Sequence, residues 1–361
     1  MRFHLSLPKL IGLAAVGLAV IAPAPALAHG GGGAVFTETN ATANAVQSYT
    51  QSGDGTLTPG PSYATGGAGT GAAGLGSEGA LALDRGWLLA INAGSNDVSA
   101  FRVRGDHLAL VNRVPSGGTT PNSVTIHGNV AYVLNSGASG NLTGFRLTRS
   151  GLVPLSGATQ PLSSATAGAV QVSFTPRGDQ LVVSEKGANV IDTYPVDRWG
   201  RAGPGTAHAS AGAAPFGFAF GNGDSLLVTE AAASALTSYG LDPFTTVTAS
   251  LLNGQGAACW AASTRNGHLV YTANAATDSI SAYSVAWNGS LTLLTPGGAT
   301  TQLAKGTHPL DEAISRDRIL YVNGGNTGTI NAFRIAWNGS LTSLGSVGGL
   351  PAGFGGLVVS S

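Results

Sequence analysis

The chain has 361 residues, 17 basic and 17 acidic, so its formal net charge is zero, and only 9% of its residues are charged. That balance excludes an extended nucleic-acid-binding or anionic-membrane surface, which needs clustered positive charge. Its 55 glycines follow no three-residue period, which excludes collagen and points to a chain with many tight turns.

At the N-terminus, Arg2 and Lys9 precede an uninterrupted apolar run from Leu10 to Ile21. Pro23 and Pro25 end that run before Ala26-Leu27-Ala28, a small-x-small cleavage pattern. Residues 1–28 therefore read as a signal peptide, and residues 29–361 as one mature domain, secreted or periplasmic. The apolar run is too short to cross a bilayer, so no membrane insertion is expected after cleavage. His29, not Cys, follows the cut, which removes the lipoprotein option. The lone Cys259 cannot form an internal disulfide, and a domain of this size can rely on its core.

Beyond residue 33 a single unit recurs seven times. "GAVFTETNATANAVQSYTQ" (33–51) is the first copy, "RGWLLAINAGSNDVSAFRV" (85–103) the second and "GNVAYVLNSGASGNLTGFRL" (128–147) the third. The later copies start near residues 178, 223, 267 and 317. Each has an apolar strand, a closing Asn or Glu, a small-residue turn and a second alternating strand. The closing residues are Glu38, Asn92, Asn135, Glu185, Glu230, Asn274 and Asn323. A period in the forties with about four short strands per copy is the pattern of a β-propeller. The expectation is all-β: a seven-bladed β-propeller with four antiparallel strands per blade. The first copy has only "HGGGG" in front of it, so the spare segment "GFGGLVVSS" (353–361) is expected to join the first blade and close the ring.

The heptad "AWNGSLT" occurs at 286–292 and again at 336–342. Asn-Gly is a strong hairpin signal, read here as a type I′ turn joining the third and fourth strands of a blade. The Asn-Gly-Ser sequons are then turn chemistry. Between the first and second units lies a glycine-rich insert, about 64–79, in which Gly69-x-Gly71-x-x-Gly74 matches the dinucleotide fingerprint. No helix-forming segment follows it, so no phosphate site is expected and the insert reads as a flexible loop.

Ligands of propellers bind where innermost strands and connecting loops converge on a central funnel. Seven closing residues at equivalent strand ends predict a ring on one face, with Glu38, Glu185 and Glu230 concentrating negative charge. Each Glu can simply cap its own turn. If the glutamates converge instead, they suit acid–base work or a hard cation such as Ca²⁺ or Mg²⁺; otherwise no cofactor is expected and no metal ligand set is assigned. A second candidate is "GTHPLDEAIS" (306–315), which crowds His308, Asp311 and Glu312 into five residues. Strand alternation puts Asp311 and Glu312 on opposite faces unless a bulge intervenes, and Asp311 can satisfy itself on neighbouring backbone. Cys259-Trp260 reads as a buried thiol beside an inter-blade Trp, with nothing basic near it to lower its pKa.

"GALALDRGWLLAINAGSNDVSAFRV", "GAACWAAS" and "HPLDEAISRDRILYVNGG" resemble the lactonase-type seven-bladed propellers. That family includes bacterial 6-phosphogluconolactonase and fungal carboxymuconate-lactonising enzyme. The resemblance spans essentially the whole mature chain and suggests an exported branch without a defined function. Family enzymes place a His after Pro on an inner strand, where this chain has Asn122 after Pro121. They place an Arg where this chain has Val170, and a Glu where Glu185 stands. Asn122 cannot transfer a proton at neutral pH and Val170 cannot hold an anion. The first reading is thus a binding or envelope module, monomeric, taking a small-molecule or carbohydrate-type ligand in its funnel through Glu38, Glu230, Asn122, His308 and Asp311. The alternative is a hydrolase of a neutral lactone or ester, with Glu185 as general base and Glu230 or Asp311 assisting.

Overall fold

The structure, a computed structural model, describes Met1 and residues 33–360. Apart from Met1, the expected signal peptide lies outside the described residues.

Seven antiparallel sheets make the fold. Blade 2 runs from its innermost strand Leu81–Asp84 outward to His107–Pro115, and blade 3 from Pro121–His127 to Gly151–Pro161. Blade 4 spans Ala169–Phe174 to Thr206–Ala209, and blade 5 spans Pro215–Phe220 to Phe244–Leu252. Blade 6 begins at Ala258–Ser263, and its third strand pairs with both Leu291–Leu293 and the short strand Thr301–Gln302. Blade 7 spans Pro309–Ile314 to Leu341–Val347. Blade 1 takes its three outer strands from residues 34–64 and its innermost strand, Gly355–Ser360, from the other end of the chain. Innermost strands touch their neighbours all the way round, so the chain is a closed seven-bladed β-propeller, as the repeat predicted.

The second strand of each blade explains why these sequences fold this way. Trp87–Asn92, Val130–Asn135, Leu226–Glu230, Leu269–Asn274 and Ile319–Gly324 are buried at every position. A strand covered on both faces by adjacent blades must be apolar throughout, so it reads as a continuous run rather than an alternation. Fourth strands, at the rim, alternate and are largely exposed. Tyrosines on second strands lock one blade to the next. The Tyr132, Tyr271 and Tyr321 hydroxyls donate to the carbonyls of Gly200, Gly339 and Gly55, each in the following blade's outer hairpin, at 2.8–2.9 Å.

Strands alternate in direction, so all hairpins between first and second and between third and fourth strands lie on one face, here the hairpin face. The links between second and third strands, and between blades, lie on the other, the linker face. Both "WNGS" turns are hairpins, but not type I′. Only Gly289 and Gly339 have positive φ (83° and 86°), while Asn288 and Asn338 do not. Gly289 N–H donates to Ala286 and Ala286 N–H to Ser290, which makes a type I turn closed by a left-handed glycine. The Asn288 and Asn338 side chains accept from the N–H two residues on, 3.1 Å away, which is why Asn stands before Gly.

Candidate functional site

The residues closing each second strand do form a ring at the linker face, but all seven are fully buried and none opens into the axial channel as a free group: most turn toward their own third strands, while Asn323 donates to Thr37 and the Gly356 carbonyl of blade 1. Asn92 donates to Asp97 and Ser99, Asn274 to Ser279 and Ser281, and Asn135 to Asn141. Glu230 accepts from Thr237 and Ser250 within its own blade. Glu185 accepts from the Ser163 N–H (3.2 Å) and hydroxyl (2.8 Å) and lies against Asp192, which itself accepts from Tyr194. Burial, with the Asp192 carboxyl beside it, lifts Glu185 to about 7. Glu38 accepts from Asn44 at 2.8 Å, and burial raises its pKa. The three glutamates serve three separate blades and share no cavity. Among the described residues no group of three His, Cys, Asp or Glu side chains is placed to hold a metal ion.

What does converge at the axis is the glycine-rich insert. Its first half crosses the ends of blades 1 and 2: Gly69 and Gly71 N–H groups donate to Ala41 and Asn40, and Gly94 N–H donates to Ala68. Asn40 donates to Thr70 and to the Ala73 and Gly353 carbonyls. The second half drops into the channel. Trp260 Nε1 donates to the Ser77 carbonyl (3.0 Å), the Ser77 hydroxyl to Asn122 (2.8 Å), Lys186 to Gly76 (3.2 Å) and Glu78 N–H to Val170 (3.3 Å). One short segment thus reaches the innermost strands of blades 3, 4 and 6. The expectation of a flexible loop is corrected: its polar backbone is held by partners in several blades. The Gly69-x-Gly71-x-x-Gly74 match is, as expected, unconnected to any helix.

Glu78, which the sequence reading passed over, is the point of this plug. Its carboxylate lies where a Cβ on Gly217 would be, 1.8 Å from Oε2, and takes a backbone N–H from Ala261. Across the axis stand Asp311 and Glu312, both buried. The register shift between Pro309 and Glu312 is the bulge that alternation required for both to turn inward. Burial and mutual repulsion raise the pKa values of Glu78 and Glu312 well above the usual range, and Glu78 Oε2 and both Glu312 oxygens have no protein partner. Asp311 differs because three backbone N–H groups, of Gly356, Gly79 and Asp311 itself, stabilise its charge. Burial still lifts it to about 6. The cluster therefore keeps its negative charge most readily on Asp311, while burial and repulsion make Glu78 and Glu312 hold their protons more tightly than ordinary glutamates.

The insert leaves a cavity of about 500 Å³ between itself and blades 6, 7 and 1. Ser77, Trp260, His308, Asp311 and Asn326 supply its polar groups, and Leu75, Leu310, Phe354 and glycine backbone the rest. His308 sits at a left-handed φ of 52°, held by a 2.7 Å bond from its N–H to Asp278. Its Nδ1 lies 3.1 Å from the Ala275 carbonyl. A carbonyl can only accept, so Nδ1 carries the proton and Nε2 of the neutral ring is left as a free acceptor. No Lys or Arg lines the cavity.

Of the residues singled out in the sequence, the structure brings His308 and Asp311 together in this cavity. Asn122 lies beneath the insert, donating to the Ala169 carbonyl at 2.8 Å. Val170 is packed with Phe216, Cys259 and Trp260, so the position expected for a basic group is apolar core. Burial pushes the Cys259 thiol to about 12, as a buried thiol requires. The expectation of nothing basic nearby is corrected, since Lys186 opposes that rise, but burial dominates.

Known structures of the same shape are numerous. A candidate 6-phosphogluconolactonase from Bacteroides fragilis superposes with a TM-score of 0.72 at 19% identity, covering 91% of this chain and 98% of that one. A periplasmic gluconolactonase from Pseudomonas aeruginosa gives 0.72 at 16% identity, covering 91% and 99%. This chain shares its fold with the lactonase-type propellers. A protein of unknown function from Desulfotomaculum acetoxidans superposes with a TM-score of 0.71 at 15% identity over 91% and 99% of the two chains. No protein-family model matches the chain, and no curated protein matches it in sequence.

Proposed function

We propose that this chain is an exported, monomeric propeller that binds a small uncharged, polyhydroxylated ligand, such as a sugar or sugar lactone, in the axial cavity beside the insert. The observation that carries this reading is the lining. Asp311, His308, Asn326, Ser77 and glycine backbone offer hydrogen-bonding groups, and Trp260, Leu310 and Phe354 offer apolar surface, with no cation to neutralise a phosphate or carboxylate. The N-terminal apolar run and its cleavage pattern support export to the periplasm or medium.

A second reading, hydrolysis of a neutral lactone, is favoured by one feature: Asp311 and the bare Nε2 of His308 face the same cavity, so an acid–base pair is available there. In that reading Asp311 replaces Glu185 as general base, because Glu185 is fully buried and committed to Ser163 and Asp192. The chain would lack a dedicated oxyanion-stabilising cation, which favours binding over turnover.

Thermal unfolding and calorimetry with neutral monosaccharides, aldono-lactones and their 6-phosphates test the two readings. Binding of a neutral member that is lost in Asp311→Asn and in His308→Ala, without lactone opening above the spontaneous rate, is expected. Preference for the phosphorylated member would overturn both readings. Catalysed opening, absent in Asp311→Asn, would establish the second.

A further inference from the structure

The hairpin face carries a second concavity, of about 370 Å³, unrelated to the axial cavity. It lies where the first hairpin of blade 6 (264–268) meets the hairpins of blade 7, and it is lined by Thr264, Arg265, Asn266, Arg316, Arg318 and Trp337 above a floor of Ile314 and Ser315. Three of the chain's fourteen arginines face this one cleft. No acidic side chain lines it, and Arg265 and Arg316 make no ion pair within the described residues. Asp317, between two of these arginines in the chain, does not line the cleft.

One wall is fixed. Arg318 has a left-handed φ of 61° and donates to the carbonyls of Ile335 (3.3 Å) and Ala336 (2.7 Å). Its guanidinium lies 4.3 Å over the Trp337 ring. That stack holds one indole face, yet Trp337 keeps 85% of its surface exposed. A large aromatic at a hairpin tip, pinned by an arginine and open to water, is not explained by packing. Trp337 occupies the tryptophan position of the repeated "WNGS" turn, whose counterpart Trp287 in the adjacent blade is 76% exposed and packs edge-on against His268. The turn needs its Asn and Gly; nothing in its hydrogen bonding needs a Trp.

We propose that this cleft binds an acidic sugar unit of a polyuronate-type saccharide. The open indole face would stack on the apolar face of the pyranose, and Arg265 and Arg316 would grip its carboxylate, a group that guanidinium forks match in shape and charge. The volume suits one or two sugar rings, and Trp287 on the next blade offers a second platform for a chain running along the face. This site is independent of the axial cavity, whose lining selects uncharged ligands.

Calorimetric titration of the mature protein with tetramers of galacturonate, mannuronate and guluronate, each beside its methyl ester, tests the assignment. At least one acid tetramer should bind, its methyl ester should bind at least tenfold more weakly, and rising salt should weaken the acid form. The double variant Arg265→Ala/Arg316→Ala and the single variant Trp337→Ala should each lose tenfold or more. All three positions are hairpin residues, and an unchanged melting temperature would show that the variants fold. No binding by any acid tetramer, or binding indifferent to both variants, overturns the proposal. So does displacement by equimolar sulfate together with an unaffected Trp337→Ala, which would make the cleft a simple anion site. The axial substitutions Asp311→Asn and His308→Ala should leave this titration unchanged.

Discussion

The axial carboxylates make a quantitative demand on stability. Burial lifts Asp311 from an ordinary 3.8 to about 6. At about 1.4 kcal/mol per pKa unit, the native state should lose about 3 kcal/mol on ionising it, relative to the unfolded chain. The sign follows from proton binding: between pH 4 and pH 6 the folded protein holds this proton more tightly than the unfolded chain, so stability is full below 4, falls through 6 and then levels. Glu38, Glu78 and Glu312 are also raised and push in the same direction at higher pH. For a domain of about 330 residues, with an unfolding entropy of about 2.1 cal/mol/K per residue, 3 kcal/mol corresponds to about 4 °C in Tm. Asp311→Asn removes the titration. It also exchanges one oxygen that accepts backbone N–H bonds for an amide, a cost that is the same at every pH. Melting wild type and Asp311→Asn by calorimetry at pH 4 and pH 7.5 should therefore show the variant gaining about 4 °C on wild type between the two. A difference between the proteins that is flat with pH, or that favours wild type more at pH 7.5, would refute the placement of this carboxyl in a desolvated cluster.

Three further outcomes follow from the plug and the ring. Gly217→Ala drives a methyl to 1.8 Å from Glu78 Oε2 and 2.6 Å from the Cys259 carbonyl, so it should cost about 3 kcal/mol; in a Glu78→Ala background the chemical-denaturation cost should shrink without vanishing, because the carbonyl clash persists. Trp260→Phe removes the Nε1 donor to Ser77 and should cost about 1–3 kcal/mol, with faster proteolysis within residues 70–78 as the readout that locates the damage. Glu185→Gln should not lower Tm at pH 8, where the raised acid is otherwise forced to ionise, and should leave axial ligand binding intact; a lost ligand response would return Glu185 to the site.

The architecture was legible because its determinants are local. Apolar second strands, Asn-Gly and Gly-x turns and a closing polar residue are written into every unit, and the orphan strand at 353–361 had one vacant position to fill. The turn type was misread because Asn-Gly alone does not distinguish a two-residue loop from a type I turn with a left-handed glycine; the five residues between Val285 and Leu291 decide it. The ring of closing residues was correctly placed at one face. Its direction was not legible, since a strand-end side chain can turn to the axis or to its own third strand. The hydroxyls of Ser99, Ser279, Ser281 and Thr237 waiting there settle the matter.

The candidate site was half legible. His308 and Asp311 stand out in the sequence as ionisable groups at an inner strand, and the bulge between Pro309 and Glu312 relaxes the alternation that would separate Asp311 from Glu312. A glycine-rich composition does not separate a free loop from one held by its backbone, and the insert is held. In this channel glycine is a matter of clearance. A Cβ on Gly69 would meet the Asn40 backbone at 2.3 Å and one on Gly94 the Gly69 carbonyl at 2.2 Å, so along the insert there is clearance for backbone alone. A chain threading that space must be nearly free of side chains, and the one large polar side chain that enters it, Glu78, does so only where Gly217 omits a Cβ. The glycines that look like disorder in the sequence are therefore the reason the segment can be ordered, and the same segment supplies Leu75 and Ser77 to the wall of the cavity that remains.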